Sequence, residues 1–141
     1  RLTQQQQGEL KQVCVILADI DYFKRVNDTH GHEVGDVVLQ RFSAFLTHSL
    51  RTSDDVYRFG GEEFVIVLPL CSVPDATVII NSMISRLNSE MCEVGELSLP
   101  IRASFGLTVM REEEQKSVIS RADAALYQAK DAGRNQLVIK F

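Results

Sequence analysis

The run Tyr57-Arg58-Phe59-Gly60-Gly61-Glu62-Glu63-Phe64-Val65-Ile66-Val67-Leu68 limits the fold more than any other stretch of this chain. Aromatic and β-branched residues on either side of two adjacent glycines are the pattern of two antiparallel strands joined by a tight turn. Gly60 and Gly61 are free to take positive φ and to let a ligand approach the backbone, where a bulky anion can rest on the N–H groups. Two carboxylates beside such an anion would repel it unless a divalent cation sat between them. The combination points to a metal–nucleotide site.

The other elements follow from periodicity. Val13-Cys14-Val15-Ile16-Leu17-Ala18 is a continuous apolar run ending in Asp19-Ile20-Asp21, as in a strand buried on both faces. A short helix is expected over Tyr22–Asp28, broken by Thr29-His30-Gly31-His32. From Glu33 the apolar residues Val34, Val37, Val38, Phe42, Phe45, Leu46 and Leu50 recur at helical spacing, giving an amphipathic helix that ends near Arg51–Asp54. Pro69 and Pro74 bracket a loop, and Asp75–Glu90 reads as a second amphipathic helix. Leu97–Val109 reads as one strand whose first part Pro100 confines to an edge or bulge. Ser117–Ala132 is a third helix stopped by Gly133, and Leu137-Val138-Ile139 a last strand.

The order strand, helix, hairpin, helix, strand, helix, strand resembles the split β-α-β layout of ferredoxin-like folds, an α+β class with an antiparallel-containing sheet flanked by helices. In that layout the end of the first strand lies beside the hairpin turn. Asp19 and the Glu62-Glu63 pair, more than forty positions apart, are then expected to share one site.

Length and charge narrow the function. With 141 residues and 45% hydrophobic content, the chain fits one compact domain with a sizeable core. A net charge of −4 argues against binding to nucleic acid or direct contact with an anionic membrane, which need a positive field. No apolar run reaches transmembrane length and the start has no signal-peptide pattern, so a cytoplasmic domain is expected, open to an upstream membrane anchor. Cys14, Cys71 and Cys92 lack the spacing of a disulfide framework or metal knuckle and read as core or surface thiols. His30 and His32, without further ligands at suitable spacing, make a poor zinc site.

Gly60-Gly61-Glu62-Glu63-Phe64 resembles the signature of GGDEF domains, the diguanylate cyclases, with Glu at the third position. Other positions agree in order and spacing across residues 13–140: Asp19-Ile20-Asp21, Asn27 with Asp36, Arg51-x-x-Asp54, and the closing Ala124-Ala125-Leu126-Tyr127-Gln128-Ala129-Lys130-Asp131-Ala132-Gly133-Arg134-Asn135. The resemblance implies a core shared with the palm of nucleotidyl cyclases and polymerases, formed by residues 13–141. Residues 1–12 read as a linker or truncated leading segment, in which only Leu2-Thr3 resembles the family's preceding pattern; either the segment is cut or the domain's entry is atypical.

Forming a phosphodiester from a nucleoside triphosphate needs in-line attack of a 3′-hydroxyl on the α-phosphorus while charge grows on pyrophosphate. Carboxylate-held Mg²⁺ or Mn²⁺, two per GTP site, meets that need. Asp19 and Glu63 are first choices as ligands, the resemblance adds the Ile20 carbonyl, and Glu62 is the candidate base or a further ligand. The same carboxylates also suit a helix cap at Asp19 and Asp21 and a solvated turn at Glu62-Glu63. Asn27 and Asp36 can together read guanine, the carboxylate accepting from its N1–H and N2–H₂; Asp36 also suits a helix N-terminus. Lys130 and Arg134, at i and i+4 by sequence, suit a helix C-terminus, and the resemblance makes them triphosphate ligands. Phe23, Gly31, His32 and Leu39, with Gly60 and Gly61, match the family around the nucleotide. Arg51 and Asp54, nine residues ahead of Gly60 for the arginine, form either a surface ion pair or, as the resemblance implies, an inhibitory site where the arginine fork meets guanine of the product.

The expected function is condensation of two GTP into cyclic di-GMP and two pyrophosphates by a homodimer, each copy holding one GTP. Product would inhibit at Arg51 and Asp54, and an upstream sensor or dimerisation domain would supply control. The alternatives are an inactive receptor for GTP or cyclic di-GMP, or a cyclase of another purine dinucleotide, which Asp36 disfavours.

Overall fold

The computed structural model describes residues 12–141. The proposed leading segment therefore lies, but for Gln12, outside the described residues. Among the described residues seven strands and four helices follow in the order β1 (Cys14–Ile20), α1 (Phe23–His30), α2 (His32–His48), β2 (Asp55–Arg58), β3 (Glu63–Leu68), α3 (Val73–Ser89), β4 (Cys92–Val94), β5 (Leu97–Leu99), β6 (Ala103–Val109), α4 (Gln115–Asp131) and β7 (Leu137–Ile139). No helix among the described residues is long and apolar enough to cross a membrane.

The main sheet has the order β2-β3-β1-β6-β7. β1 runs antiparallel to β3 and β6, β2 antiparallel to β3, and β7 parallel to β6. The first four of these strands have the split β-α-β arrangement of an α+β ferredoxin-like core, and α4 with β7 adds one parallel crossover.

Alternation along β1 explains both layers. Cys14, Ile16, Ala18 and Ile20 face the larger cluster, with Val38, Phe42 and Leu46 of α2 and Ala76, Ile80 and Met83 of α3. Val15 and Leu17 face the other way, with Val65, against Val118, Ala122 and Leu126 of α4. All seven β1 residues are buried, as a run apolar on both faces requires. α4 comes unusually close to β6 because Gly106 lies beneath it: a Cβ there would stand 2.2 Å from the Leu126 amide nitrogen.

Four expectations are corrected. The stretch 97–109 is two strands, since Pro100 ends β5, which pairs instead with β4 across a Gly95-Glu96 turn. β4 carries too short a pattern to be read from sequence. Pro74 belongs to the first turn of α3, where a proline's missing N–H costs nothing, and Ser72 caps that helix by accepting from the Asp75 amide at 3.2 Å. α1 continues through His30, so Gly31 alone, at φ 91, separates it from α2. Arg134 is not helical: α4 ends at Asp131, and Gly133, Arg134 and Asn135 follow with φ of 119, 65 and 52.

Candidate active site

Asp19 continues the odd-numbered face of β1, the face that α4 covers. Lys130, in the last turn of α4, therefore lies over it, and its ammonium donates to Asp19 Oδ2. On the neighbouring strand Asp19 stands directly opposite Glu63, where Cα atoms of an antiparallel pair are about 4.5–5.5 Å apart. Glu62 precedes Glu63 in the turn, and both are half-buried. Ile20, 2% exposed, is the last residue of β1 and lies one step past its final pair with β3. The first strand's end and the hairpin turn thus meet as the fold class requires.

The side chain of Asp19 is only 5% exposed. Burial pushes its carboxyl up to about 6; the hydrogen bond and charge of Lys130 oppose that rise, and the nearby charges of Glu62 and Glu63 add to it. Its Oδ1 is buried without a hydrogen-bond partner. A carboxylate with one oxygen open, a second carboxylate across the ladder and a lone ammonium as counterion form a donor set suited to a hard divalent cation. Among the described residues no three His, Cys, Asp or Glu side chains converge on one point. The carboxylates brought together are Asp19 and Glu63, and Mg²⁺ is usually held by one or two carboxylates together with substrate phosphates and water.

The glycine turn behaves differently from expectation. Neither Gly60 nor Gly61 has positive φ among the described glycines that do. A Cβ on Gly61 would meet nothing within 4 Å, and on Gly60 only Glu63 Oε2 at 3.9 Å. The chain's own packing leaves open space above both. Phe59 and Gly60 N–H groups donate to the Glu63 carbonyl at 2.8 and 3.4 Å, and Arg58 Nε donates to the Gly61 carbonyl at 2.9 Å.

Beside this turn lies a cleft of about 630 Å³ lined by Asp36, Leu39, Gln40, Ser43, Arg58 and Phe64. Asp36 and Leu39 thus line one space near the carboxylates, Asp36 exposed and one residue past the first helical turn. Asn27 lies at the α1–α2 contact: a Cβ on Gly35 would stand 1.8 Å from Asn27 Oδ1 and 3.3 Å from Phe23 Cζ. Asn27 Oδ1 is buried and has no hydrogen-bond partner. His32 is exposed at the start of α2. Arg58 was missed by sequence reasoning, although its place two residues before Gly60 was a usable signal. Gln40 and Ser43 could have been found as the helical neighbours of Asp36 and Leu39.

The Arg134 guanidinium lies 4.6 Å over the Tyr22 ring, which also carries Arg25 at 4.2 Å. Asp21 caps nothing: Tyr22 is the N-cap of α1, without a side-chain cap. The Asp21 oxygens instead accept from Ser104 Oγ at 2.6 Å and the Asn135 amide at 2.9 Å.

Arg51 and Asp54 sit at the other end of the hairpin. Glu63 and Pro69 are six residues apart on the β3 line, about 20 Å at the rise of a strand. The Arg51 guanidinium meets Asp54 Oδ1 at 2.6 Å and also donates to the Pro69 carbonyl at 2.9 Å. Asp54's side chain is fully buried while Arg51's is 44% exposed. The pair is an ordered clamp between the α2–β2 turn and the end of β3, with the arginine's outer edge open to a neighbouring cleft of about 490 Å³.

Comparison with known proteins meets this geometry. Residues 1–136 match the family described as "Diguanylate cyclase, GGDEF domain". The chain is 37% identical over 132 residues to the response regulator PleD of Caulobacter vibrioides, covering 91% of this chain and 29% of that protein. It superposes with a TM-score of 0.88 and 36% identity on the diguanylate cyclase SiaD, solved with its activator SiaC from Pseudomonas aeruginosa, over 96% of this chain and 52% of that one. The GGDEF domain of DgcB from Caulobacter crescentus, solved with c-di-GMP, gives a TM-score of 0.85 at 30% identity, over 92% and 76%. The chain spans less than half the length of the curated relatives it matches. A sheet order of β2-β3-β1-β6-β7, an acidic mouth between β1 and β3 and a sequence match running almost end to end leave one assignment: the chain belongs to the diguanylate cyclase GGDEF domain family.

Proposed function

We propose that residues 13–141 form a catalytic domain that condenses two GTP into cyclic di-GMP and two pyrophosphates, each of two copies presenting one GTP to the other. The observation that carries this reading is the placement of Asp19, one carboxylate oxygen open, directly across the ladder from Glu63 and under Lys130. Asp19, Glu63 and the Ile20 carbonyl would hold Mg²⁺ or Mn²⁺, with Glu62 as further ligand or base. Bound there, the cations supply charge neutralisation at the phosphates and a lowered pKa for the attacking hydroxyl.

The protein's own groups do the rest. Lys130 exchanges Asp19 for a phosphate, and Arg134 leaves Tyr22 to join it. The open space over Gly60 and Gly61 lets the nucleotide lie against the turn. Asp36 accepts from the guanine N1–H and N2–H₂ in the cleft it lines with Leu39, and Asn27, whose Oδ1 is buried without a partner at the α1–α2 contact, would reach the same base by shifting its side chain. Adenine lacks that donor pair. Phe23 and His32 flank the nucleotide. Arg51, with an exposed edge held by Asp54, offers its fork to guanine of the product; that DgcB's GGDEF domain was solved with c-di-GMP supports binding of the product by a domain of this family. Regulation would come from a partner or a further domain, as the SiaD–SiaC complex illustrates for that protein.

Purified protein incubated with GTP and Mg²⁺ at two protein concentrations tests this. Cyclic di-GMP should form with a steeper than linear dependence on protein, because pairing precedes chemistry. Glu63→Gln should lower turnover by about 10²-fold or more while leaving the fold intact, measured by product chromatography and thermal unfolding. GTP left intact even by copies joined through a fused dimeriser would refute the catalytic reading and favour a receptor for cyclic di-GMP.

A further inference from the structure

We infer that Asp21 is a positioning residue for nucleotide binding, its buried carboxylate fixing the left-handed backbone at Arg134–Asn135 and so aiming the Arg134 guanidinium. The inference rests on the proposed reading of Arg134 as a phosphate ligand.

Three consecutive residues after α4 have positive φ, and only the first is glycine. Such backbone is costly for an arginine and only tolerable for an asparagine, so something outside the segment must hold it. The Asn135 amide donates to Asp21 Oδ2 at 2.9 Å and to Ser104 Oγ at 3.2 Å, while Ser104 Oγ donates to Asp21 Oδ1 at 2.6 Å. Asp21 is 8% exposed and Ser104 fully buried, so the amide–carboxylate bond is charge-assisted and shielded from water.

On the other side, the Arg134 amide donates to the Ala129 carbonyl at 2.9 Å. The root of the Arg134 side chain is therefore pinned by its own N–H to α4 and by the next N–H to Asp21. Its tip rests on Tyr22, the residue after Asp21. The loop is further fastened by a reciprocal amide pair between Asn135 and Asn88 at the end of α3, at 2.9 and 3.0 Å. Both Asp21 oxygens are engaged, whereas Asp19 keeps Oδ1 open. Asp19 near the end of β1 and Asp21 just past it thus divide the work, Asp19 facing the ligand and Asp21 building the loop that supplies Arg134.

The test uses Asp21→Asn, Arg134→Ala and their combination in the full chain, with GTP and Mg²⁺ as the probe. Calorimetric Kd and steady-state KM should each rise about tenfold for Asp21→Asn with a smaller change in kcat, and the double variant should be no weaker than Arg134→Ala within about twofold. In the nucleotide-free chain, hydrogen exchange at the Asn135 amide should speed up by at least about tenfold in Asp21→Asn, with global unfolding little changed. Wild-type affinity in Asp21→Asn, or losses that multiply in the double variant, would overturn the inference. If Asp21→Asn does not fold, Ser104→Ala removes one acceptor and should give the same pattern at about threefold; unchanged exchange and affinity there would overturn it equally. A wild-type chain that binds no GTP would refute the proposed function instead, and the Asn135 exchange comparison would still decide whether Asp21 holds the loop.

Discussion

Asp19 is asked to be an anion in a place where burial favours the neutral acid. Its carboxyl titrates at about 6 in the folded chain against an ordinary value of 3.8. The folded state therefore holds the proton more tightly than the unfolded one, and stability falls as pH rises from about 4 to 6, remaining lower above it. In metal-free buffer Asp19→Asn should stabilise the domain at pH 7.5 by about 1–3 kcal/mol, an advantage that shrinks toward zero near pH 4. Thermal unfolding of both proteins at the two pH values checks this, and a pH-independent difference would exclude it. The meeting of Asp19 with Glu63 was legible in sequence because the end of the first strand falls beside the hairpin turn in a split β-α-β layout. Asp21 was not: its pattern, an acid before a short helix, is the same whether it caps the helix or reaches across to Asn135. Only the tertiary partners Ser104 and Asn135 separate those roles.

At the level of elements, two glycines set distances that no periodicity reveals. Gly106 lets α4 lie against β6, with a Cβ there 2.2 Å from Leu126 nitrogen and 2.4 Å from the Ala122 carbonyl, both backbone atoms that cannot swing aside. Gly35 lets α2 approach α1, but the atom in the way is the end of the Asn27 side chain. Gly106→Ala should accordingly cost about 3 kcal/mol or more in unfolding free energy, whereas Gly35→Ala should cost less and weaken GTP binding by displacing Asn27. Denaturant unfolding and nucleotide titration of the two variants separate the effects; equal stability losses would contradict the distinction. The long helices and β1 were readable because each has a persistent apolar face. β4 and β5 were not, since three-residue strands have too little alternation to stand out, and Pro100 marked a break that the sequence reading placed inside a strand.

Across the whole molecule, the clamp of Arg51 and Asp54 and the mouth at Asp19 lie at opposite ends of the same hairpin, about 20 Å apart by strand rise. On the proposed reading, a ligand at Arg51 would act on catalysis through how copies are held rather than by filling the mouth. Arg51→Ala should leave the initial rate within about threefold and abolish the slowing of the reaction as cyclic di-GMP accumulates, as progress curves with added product would show; retained slowing would place inhibition elsewhere. The order of the four core strands followed from the order of elements, because hairpins and crossovers admit few arrangements. The parallel addition of β7 did not, since a short terminal run of Leu-Val-Ile fits either sheet edge.

The contact between Lys130 and Asp19 sets the two groups of the proposed site against each other. Lys130 cannot turn to a phosphate without stranding a buried carboxylate, and Asp19 cannot accept a new cation without turning out an ammonium that then needs an anion. Neither exchange is favourable alone, and each supplies what the other lacks. Ion and nucleotide should consequently arrive as a single complex, with each tightening the other's hold by the same factor. On the proposed reading, free Mg²⁺ without GTP would leave Lys130 on Asp19.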